Sequence, residues 1–165
     1  MKFWPARLAA VALAAVAVAG CAKWGPPLEQ RTSQGPTARQ FWYFKQMMTN
    51  NREPTLEERR HWEDQLEIQI QRYLHEHPED AGNLNVASFR FSKQVVTGMT
   101  KEQVLILLGP PASTTEDQAL IEKAARKYWK EIQGNATEAW TYPLGWAFFF
   151  TGQRLVDITQ YLERD

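Results

Sequence analysis

Three groups of side chains in this sequence could take part in chemistry: one thiol, a pair of imidazoles and several adjacent carboxylates. The imidazoles lie in His75-Glu76-His77, and histidines are common ligands of zinc. Their spacing differs from the His-Glu-x-x-His pattern, in which two histidines one helical turn apart face the same metal ion. His61 lies on the same predicted helix but about four turns away. We therefore interpret residues 75–77 as a solvated helix end and expect no metal site.

The adjacent carboxylates are Glu57-Glu58 and Glu63-Asp64, and such pairs can supply the acid and the base of a hydrolase. Both pairs fall on the polar side of a predicted helix, where the sequence gives no sign of a pocket that would shift their pKa values. The chain also lacks the Gly-x-Ser-x-Gly nucleophile motif, the phosphate-binding P-loop and the dinucleotide-binding fingerprint. The sequence predicts no catalytic residue and a protein that is not an enzyme.

The thiol belongs to Cys21, the only cysteine of the 165-residue chain. It follows the small residues Val18, Ala19 and Gly20. These residues end an apolar run, and the basic residue Lys2 lies before that run. This pattern is typical of an export signal, and the run is too short for an ordinary transmembrane helix. A single cysteine also excludes an internal disulfide bond.

The stretch from Val18 to Cys21 resembles the lipobox of bacterial lipoproteins, in which the cysteine sulfur receives diacylglycerol before a signal peptidase cuts in front of it. The resemblance implies that residues 1–20 are a lipoprotein signal peptide and that mature Cys21 carries diacylglycerol and an N-acyl chain. Several acyl chains together anchor a protein stably in a membrane, and we expect no other cofactor. Two other interpretations stay open: an ordinary signal peptide that leaves a free thiol, and an uncleaved signal anchor.

The residue after the cysteine is Ala22, whereas an aspartate at this place retains enterobacterial lipoproteins in the inner membrane. By this resemblance the expected location is the periplasmic leaflet of the outer membrane. Residues 21–37 contain several Pro, Gly, Gln, Thr and Ser and little to bury. They predict a flexible tether between the lipid anchor and the folded domain.

The charges of the chain are balanced, with 19 basic and 19 acidic side chains and a formal net charge of zero. Removal of Lys2 and Arg7 with the signal leaves 17 basic and 19 acidic side chains, a net charge of −2. This balance gives no electrostatic basis for binding nucleic acid. The length, with seven Trp and eight Phe, is enough for one domain with a substantial core.

A short helix is predicted at the centre of the domain, within residues 98–111. Thr100 and Gln103 form a capping box, in which each side chain accepts a hydrogen bond from a backbone N–H group at the start of a helix. Gly109 is predicted to end the helix as a left-handed cap, and the two prolines after it prevent continuation. The apolar side of this helix consists of Val104, Leu105, Leu107 and Leu108.

Residues 38–94 are predicted to form a helical N-terminal extension. Its first segment is aromatic at near-helical spacing, and Phe41 and Trp42 either pack on the core or offer a surface to a partner or a membrane. A second capping box begins a long amphipathic helix over residues 55–77. The pattern of residues 86–96 fits a strand or a helix, and we expect a short helix.

The C-terminal part is predicted to contain a helix and then a sheet. A third capping box at Thr115 begins a helix that runs to about Gly134. From Glu138 the apolar period changes to two, and turns at residues 143–145 and at Gly152 separate three strands. These strands predict a three-stranded antiparallel β-meander.

The middle strand of the meander, residues 146–150, is apolar on both faces, which predicts a central position in the sheet. Helices cover at least one face. The face that carries Phe149 is either covered by the extra helices or open to a partner. Trp140 and Tyr142 share a face of the preceding strand and are predicted to lie in the core.

The order of these features resembles the SmpA/OmlA domain of BamE-like lipoproteins. The matching residues, in chain order, are Gly98, Met99, Thr100, Val104, Leu108, Gly109, Pro111, Trp140, Tyr142 and Gly152. The resemblance covers residues 95–161 and implies an α+β domain whose helices pack on a three-stranded antiparallel β-meander. The helical extension and the extra helix between Pro111 and Trp140 have no counterpart in the family pattern.

The best-studied member of that family is an accessory subunit of the machinery that inserts β-barrel proteins into the outer membrane. The resemblance therefore implies a non-catalytic docking or scaffold module that meets an envelope protein, in β-barrel assembly or in envelope integrity. The candidate partner surface consists of Phe41, Trp42 and Phe149. The alternative is an envelope lipoprotein that binds lipid or glycan through exposed aromatic residues.

Overall fold

The computed structural model describes residues 27–132 and 136–163. Within these ranges the chain is an α+β protein with helices packed on a five-stranded antiparallel sheet, beside a second sheet of two strands. The helices are α1 (Ala38–Asn50), α2 (Leu56–Glu76), α3 (Lys101–Leu108), α4 (Gln118–Ala125) and α5 (Trp129–Ile132). The strands are β1 (Leu28–Thr32), β2 (Gln34–Thr37), β3 (Gln94–Val96), β4 (Ser113–Thr115), β5 (Glu138–Tyr142), β6 (Trp146–Thr151) and β7 (Arg154–Leu162). The predicted α+β class is confirmed.

The main sheet has the strand order β1-β7-β6-β5-β4. Its middle is the predicted meander, because β5 pairs with β6 and β6 pairs with β7, all antiparallel. The β5–β6 turn contains Leu144 and Gly145, both with positive φ, and Gly152 has a φ of 56° in the β6–β7 turn. The sheet has five strands instead of three, since β1 and β4 add one strand at each edge.

The prediction of a flexible tether is wrong for residues 28–37. All five residues of β1 pair with β7, and Arg31 Nε lies 2.8 Å from Asp157 Oδ2. β2 pairs with β3 in the two-stranded sheet. A polar segment can form an edge strand because its backbone groups bond to the neighbouring strand while its side chains stay partly in solvent. The signal peptide of residues 1–20, the lipobox Val18-Ala19-Gly20, Cys21 and the tether up to residue 26 lie outside the described residues.

Three predicted helices are confirmed as α1, α2 and α3. Thr55 and Thr100 cap α2 and α3 with the predicted capping boxes, and Thr37 caps α1 in the same way. The predicted left-handed helical cap at Gly109 is wrong in detail. Its φ of 75° is positive, but its ψ of −168° is extended, so the chain leaves the helix directly toward the two prolines.

Two local predictions in the rest of the chain are corrected. Residues 86–96 contain a single π-helical turn at Ser88–Ser92, and β3 follows it where a helix was expected. Lys93, with a φ of 49°, ends that turn. β3 then pairs with β2, which lies far away in the sequence. A strand of this kind depends on a distant partner, which local patterns do not reveal.

The helix predicted from Thr115 begins later and is broken. Thr115 belongs to β4, and Asp117 caps α4 by accepting a hydrogen bond from the backbone N–H of Ala119 at 2.8 Å. Arg126 has a φ of 55°, which ends α4, and a short 3₁₀ turn leads into α5. The chain thus bends back over the sheet where one straight helix was expected.

Two apolar cores lie on opposite faces of the main sheet. The larger core packs α1, α2 and α3 against one face, which includes Phe148 and Phe150. The smaller core packs α4 and α5 against the other face, around Phe149 and Ala147. The second face is therefore covered by the extra helices rather than open.

Candidate interaction sites

The residues that carry the family resemblance meet where α3 begins beside the start of β7. Gly98 N–H donates to the carbonyl oxygen of Leu155 at 2.6 Å, and Leu155 N–H donates to that of Met99 at 2.8 Å. Met99 is fully buried. A Cβ atom on Gly98 would lie 2.8 Å from Asn85 Nδ2, and its φ of 89° also favours glycine. This part of the motif joins α3 to the sheet.

The other motif residues complete the larger core or its turns. Val104, Leu108, Trp140 and Tyr142 are buried there, as predicted for the two aromatic residues. The Tyr142 hydroxyl donates to the carbonyl oxygen of Gly109 at 2.9 Å, so β5 holds the end of α3. Pro111 is half-buried after that helix. These residues build the fold and do not form an open site.

A buried polar cluster joins α2 to the motif. Asp80, only 3% exposed, accepts hydrogen bonds from the Tyr73 hydroxyl, from Asn83 Nδ2 at 2.6 Å and from Arg154 at 3.3 Å. The Tyr73 hydroxyl also lies 3.1 Å from Thr100 Oγ1, at the cap of α3. The cluster therefore connects the helical extension, the capping residue of α3 and the first residue of β7.

The pKa values in this cluster favour a structural role. Burial alone would raise the pKa of Asp80, but the hydrogen bonds from Tyr73 and Arg154 outweigh it and lower that pKa below its usual value. Burial, together with the bond to Asp80, raises the pKa of Tyr73 to about 12. Asp80 is thus held as an anion by three donors, and Tyr73 stays a neutral donor near pH 7.

The histidines of residues 75–77 lie at the end of α2. His77 Nδ1 is 3.1 Å from Glu79 and Nε2 is 3.5 Å from Glu102, and the hydrogen bond to Glu79 is the main cause of its raised pKa. Within residues 27–132 and 136–163, no group of three or more His, Cys, Asp or Glu side chains is placed to hold a metal ion.

Two of the three candidate partner residues are buried. Phe41 is 2% exposed and its ring meets that of Tyr142 edge to face at 5.6 Å between centroids. Phe149 is fully buried in the smaller core. The prediction of a partner surface at these two residues is therefore wrong, because Phe41 faces the larger core and α4 and α5 cover Phe149. Trp42 is half-buried, and its ring stacks on that of Trp62 at 4.7 Å between centroids.

Trp42 and Trp62 line a cleft of about 250 Å³ between α1, α2 and α3, which we call the helix groove. Leu105, 40% exposed, adds an apolar side chain from α3. The polar side chains along the groove are Lys45, Gln46, Gln65 and Gln69. Gln65 and Gln69 are four residues apart on α2 and so lie on one side of that helix. The groove combines aromatic rings, aliphatic side chains and amide groups with one lysine.

A second cleft, of about 460 Å³, lies between α4 and the end of the sheet that carries the β5–β6 turn. We call it the sheet-end cleft. Leu120, Trp146 and Tyr161 line it together with the cations Lys123 and Arg126. The guanidinium carbon of Arg126 lies 3.5 Å from the centre of the Tyr161 ring, a cation–π contact. The cleft is largely apolar, with two cations beside it.

Comparisons with family models, with curated proteins and with solved structures find no match to this chain. No described helix is both long enough and apolar enough to cross a membrane.

Proposed function

We propose that this chain is a lipid-anchored, non-catalytic docking module of the bacterial envelope, with a BamE-like α+β domain on the periplasmic side of the outer membrane. One observation carries the proposal. The only cysteine, Cys21, directly follows Val18-Ala19-Gly20 at the end of an apolar run with a basic start. A lone thiol at this place is the acceptor that lipid transfer requires.

The fold supports the BamE-like part of the proposal. Helices pack on a sheet whose centre is an antiparallel meander of β5, β6 and β7. The glycines of the motif, Gly98, Gly109 and Gly152, all have positive φ, a backbone conformation that favours glycine. The motif residues thus fill positions for which their types are suited.

An anchor at Cys21 would hold this domain close to the membrane. Residue 28 already belongs to β1, so only six residues lie between the anchor and the sheet, and a fully extended chain from residue 21 to residue 28 spans at most about 25 Å. Confinement of this kind raises the effective concentration of the domain near other membrane-bound proteins. A surface of moderate affinity is then sufficient for docking.

Among the described residues, the helix groove offers a suitable docking surface. Trp42 and Trp62 provide aromatic area, and Leu105 provides an exposed apolar contact. Aromatic residues are enriched where proteins bind one another. We propose an envelope protein as the partner, with a subunit of the β-barrel assembly machinery as the first candidate.

Expression of the full chain in a Gram-negative host tests the anchor. We expect the mature protein in the outer-membrane fraction, with a mass that includes the acyl chains on Cys21. Cys21→Ser should give an unprocessed protein without lipid. An unmodified mature N-terminus in mass spectrometry would overturn the proposal.

Capture of barrel-assembly subunits from a native membrane extract tests the partner. Leu105→Glu puts a charge into the helix groove and should abolish capture. Ile68→Glu is the matched control, because Ile68 is 50% exposed on α2 and does not line the groove. Loss of capture by both variants, or by neither, would contradict docking through the groove. Repeated absence of these subunits with the wild-type protein would remove the barrel-assembly claim.

The helix groove also favours a second candidate function, the binding of a glycan. Sugar rings pack on aromatic faces, and amide groups donate to and accept from hydroxyls, which Gln46, Gln65 and Gln69 could do. Sedimentation of the non-lipidated chain with isolated peptidoglycan separates the two functions. A docking module should stay in the supernatant, and a glycan-binding protein should sediment unless Trp42 is replaced by Ala.

A further inference from the structure

The folded domain receives the chain from Cys21 at one particular end of the main sheet. β1 begins at Leu28, which lies opposite Leu162 at the end of β7. The β5–β6 turn lies at the same end, because the backbone N–H of Tyr161 donates to the carbonyl oxygen of Gly145 at 2.9 Å. Gly152 marks the other end, and the six residues of β6 between the two turns span about 20 Å.

The geometry points to a membrane-contacting surface at this end: the β5–β6 turn and the sheet-end cleft lie against the bilayer surface when the protein is anchored. This inference rests on the proposed lipid anchor at Cys21 and adds an orientation to it. The occupant of the surface is the headgroup region of the bilayer.

The side chains at this end have the character of an interfacial surface. Leu120 is 51% exposed and Leu144 is 37% exposed, and the half-buried Trp146 and Tyr161 lie beside them. Tryptophan and tyrosine are enriched at membrane interfaces because their rings combine apolar area with a polar group. Apolar side chains of this kind insert into the boundary between headgroups and acyl chains.

Leu144 occupies a position for which its residue type is poorly suited. Its φ of 62° is left-handed, a backbone conformation that is unfavourable for a non-glycine residue. Tight hairpin turns usually have Asn, Asp or Gly at positions with positive φ, and none of these residues exposes an apolar side chain to water. Leu144 is thus apolar, exposed and in an unfavourable backbone conformation at the tip of the turn. Contact between this tip and the apolar part of a membrane would explain the choice of leucine.

The charges near the cleft are mixed in sign. Lys123, Arg126 and Lys127 are the cations, and Glu29 interacts with two of them, at 3.3 Å from Arg126 and 3.5 Å from Lys127. The other acidic side chains nearby in the sequence are Glu116, Asp117, Glu122 and Glu163. Because the acidic side chains outnumber the cations, apolar contact supplies the attraction to the bilayer surface.

A tethered fluorescence experiment tests the orientation. A chain that starts at Cys21 keeps all described elements, and its single thiol can be coupled to a maleimide lipid in vesicles of phosphatidylethanolamine and phosphatidylglycerol. Leu144→Trp places a reporter on the proposed surface, and Leu120→Trp places a second one on α4. The emission that each new tryptophan adds is obtained by difference from the parent chain, in vesicles with and without brominated acyl chains.

We expect bromine to quench the added emission of both reporters. The matched control is Leu84→Trp, because Leu84 is 96% exposed and lies near Asn85 and Gly98, beside the start of β7 at the far end of the sheet. Its added emission should be the same in both kinds of vesicle. Equal quenching of all three reporters, or no quenching at residues 120 and 144, would overturn the inference. Since the coupling is chemical, this result is independent of whether cells attach lipid to Cys21.

Discussion

Asp80 is a carboxylate that the fold buries and keeps ionised. A buried charge is stable only if several donors replace the water it has lost, and here Tyr73, Asn83 and Arg154 do so. These donors come from three separate parts of the chain. A change at any of them leaves the charge less satisfied, which costs more than the hydrogen bond alone.

We predict that Tyr73→Phe lowers the free energy of unfolding by about 2 kcal/mol, since it removes a donor to a buried carboxylate. Urea denaturation of the chain that starts at Cys21 measures this change. The control is Tyr161→Phe, which removes a half-exposed hydroxyl while keeping the ring over Arg126. A similar loss in both variants would contradict a special role of the Tyr73 hydroxyl.

The lowered pKa of Asp80 predicts a dependence of stability on pH. A carboxyl whose pKa is lower in the folded state stabilises the fold above its unfolded pKa of about 4. This contribution is lost as pH falls through the lower, folded pKa. The difference in unfolding free energy between the wild type and Asp80→Asn should therefore be constant from pH 7 to pH 5 and shrink below about pH 4. Denaturation curves at these pH values check it, with the exposed Asp64→Asn as control.

The two turns of the meander show that glycine is needed for different reasons in similar elements. Gly145 and Gly152 both have positive φ. A Cβ atom on Gly145 would clash with the carbonyl oxygen of Tyr161, whereas a Cβ atom on Gly152 would meet nothing within 4 Å. Positive φ therefore favours glycine in both turns. Only Gly145 is also required by the close approach of a second backbone segment.

We predict that Gly152→Ala costs about 1 kcal/mol, from the left-handed conformation alone. Gly145→Ala should cost clearly more, because the strand that carries Tyr161 must move and the hydrogen bond between the two residues weakens. Thermal unfolding of both variants compares the two effects. Equal losses would mean that the backbone of β7 adapts to the extra methyl group without cost.

Elements with local signals could be predicted from the sequence. The capping boxes at Thr55 and Thr100 are complete within four residues, and α2 and α3 begin where they indicate. Thr115 carries the same pattern but pairs with Ala139 in the sheet, and Asp117 caps the helix instead. The pairing of β4 with β5 is a contact between distant parts of the chain, and no short pattern reports it.

The candidate site was predicted only in part, for a related reason. The sequence identified Trp42 as an aromatic residue of the first helical segment but not its stacking partner Trp62, which lies on a different helix. The sequence also showed that Phe149 lies on one face of a strand that is apolar on both faces. Whether α4 and α5 cover it depends on the break at Arg126, where a residue without Gly or Pro character adopts positive φ.

At the scale of the whole molecule, β1 makes the segment after the proposed anchor part of the folded domain. Its pairing with β7 and the contact between Arg31 and Asp157 connect residues far apart in the sequence. The edge strand also covers β7, which would otherwise present unpaired backbone groups.

We predict that a chain starting at residue 33 is less stable than one starting at Cys21 by about 1 to 5 kcal/mol, from the five lost cross-strand pairs. A chain that starts at Pro27 keeps β1 and should match the longer chain. Urea denaturation compares the three proteins. Equal stability of all three would show that β1 adds nothing to the fold and acts as a tether after all.

The position of strand β6 between the two cores affects how this protein unfolds. Phe148 and Phe150 belong to the larger core, and Phe149 between them belongs to the smaller core. If either helical layer detached, it would expose one face of the strand that also supports the core on the other face. Both layers should therefore melt in a single cooperative transition. The amide hydrogens of β6 should therefore exchange with solvent only through global unfolding.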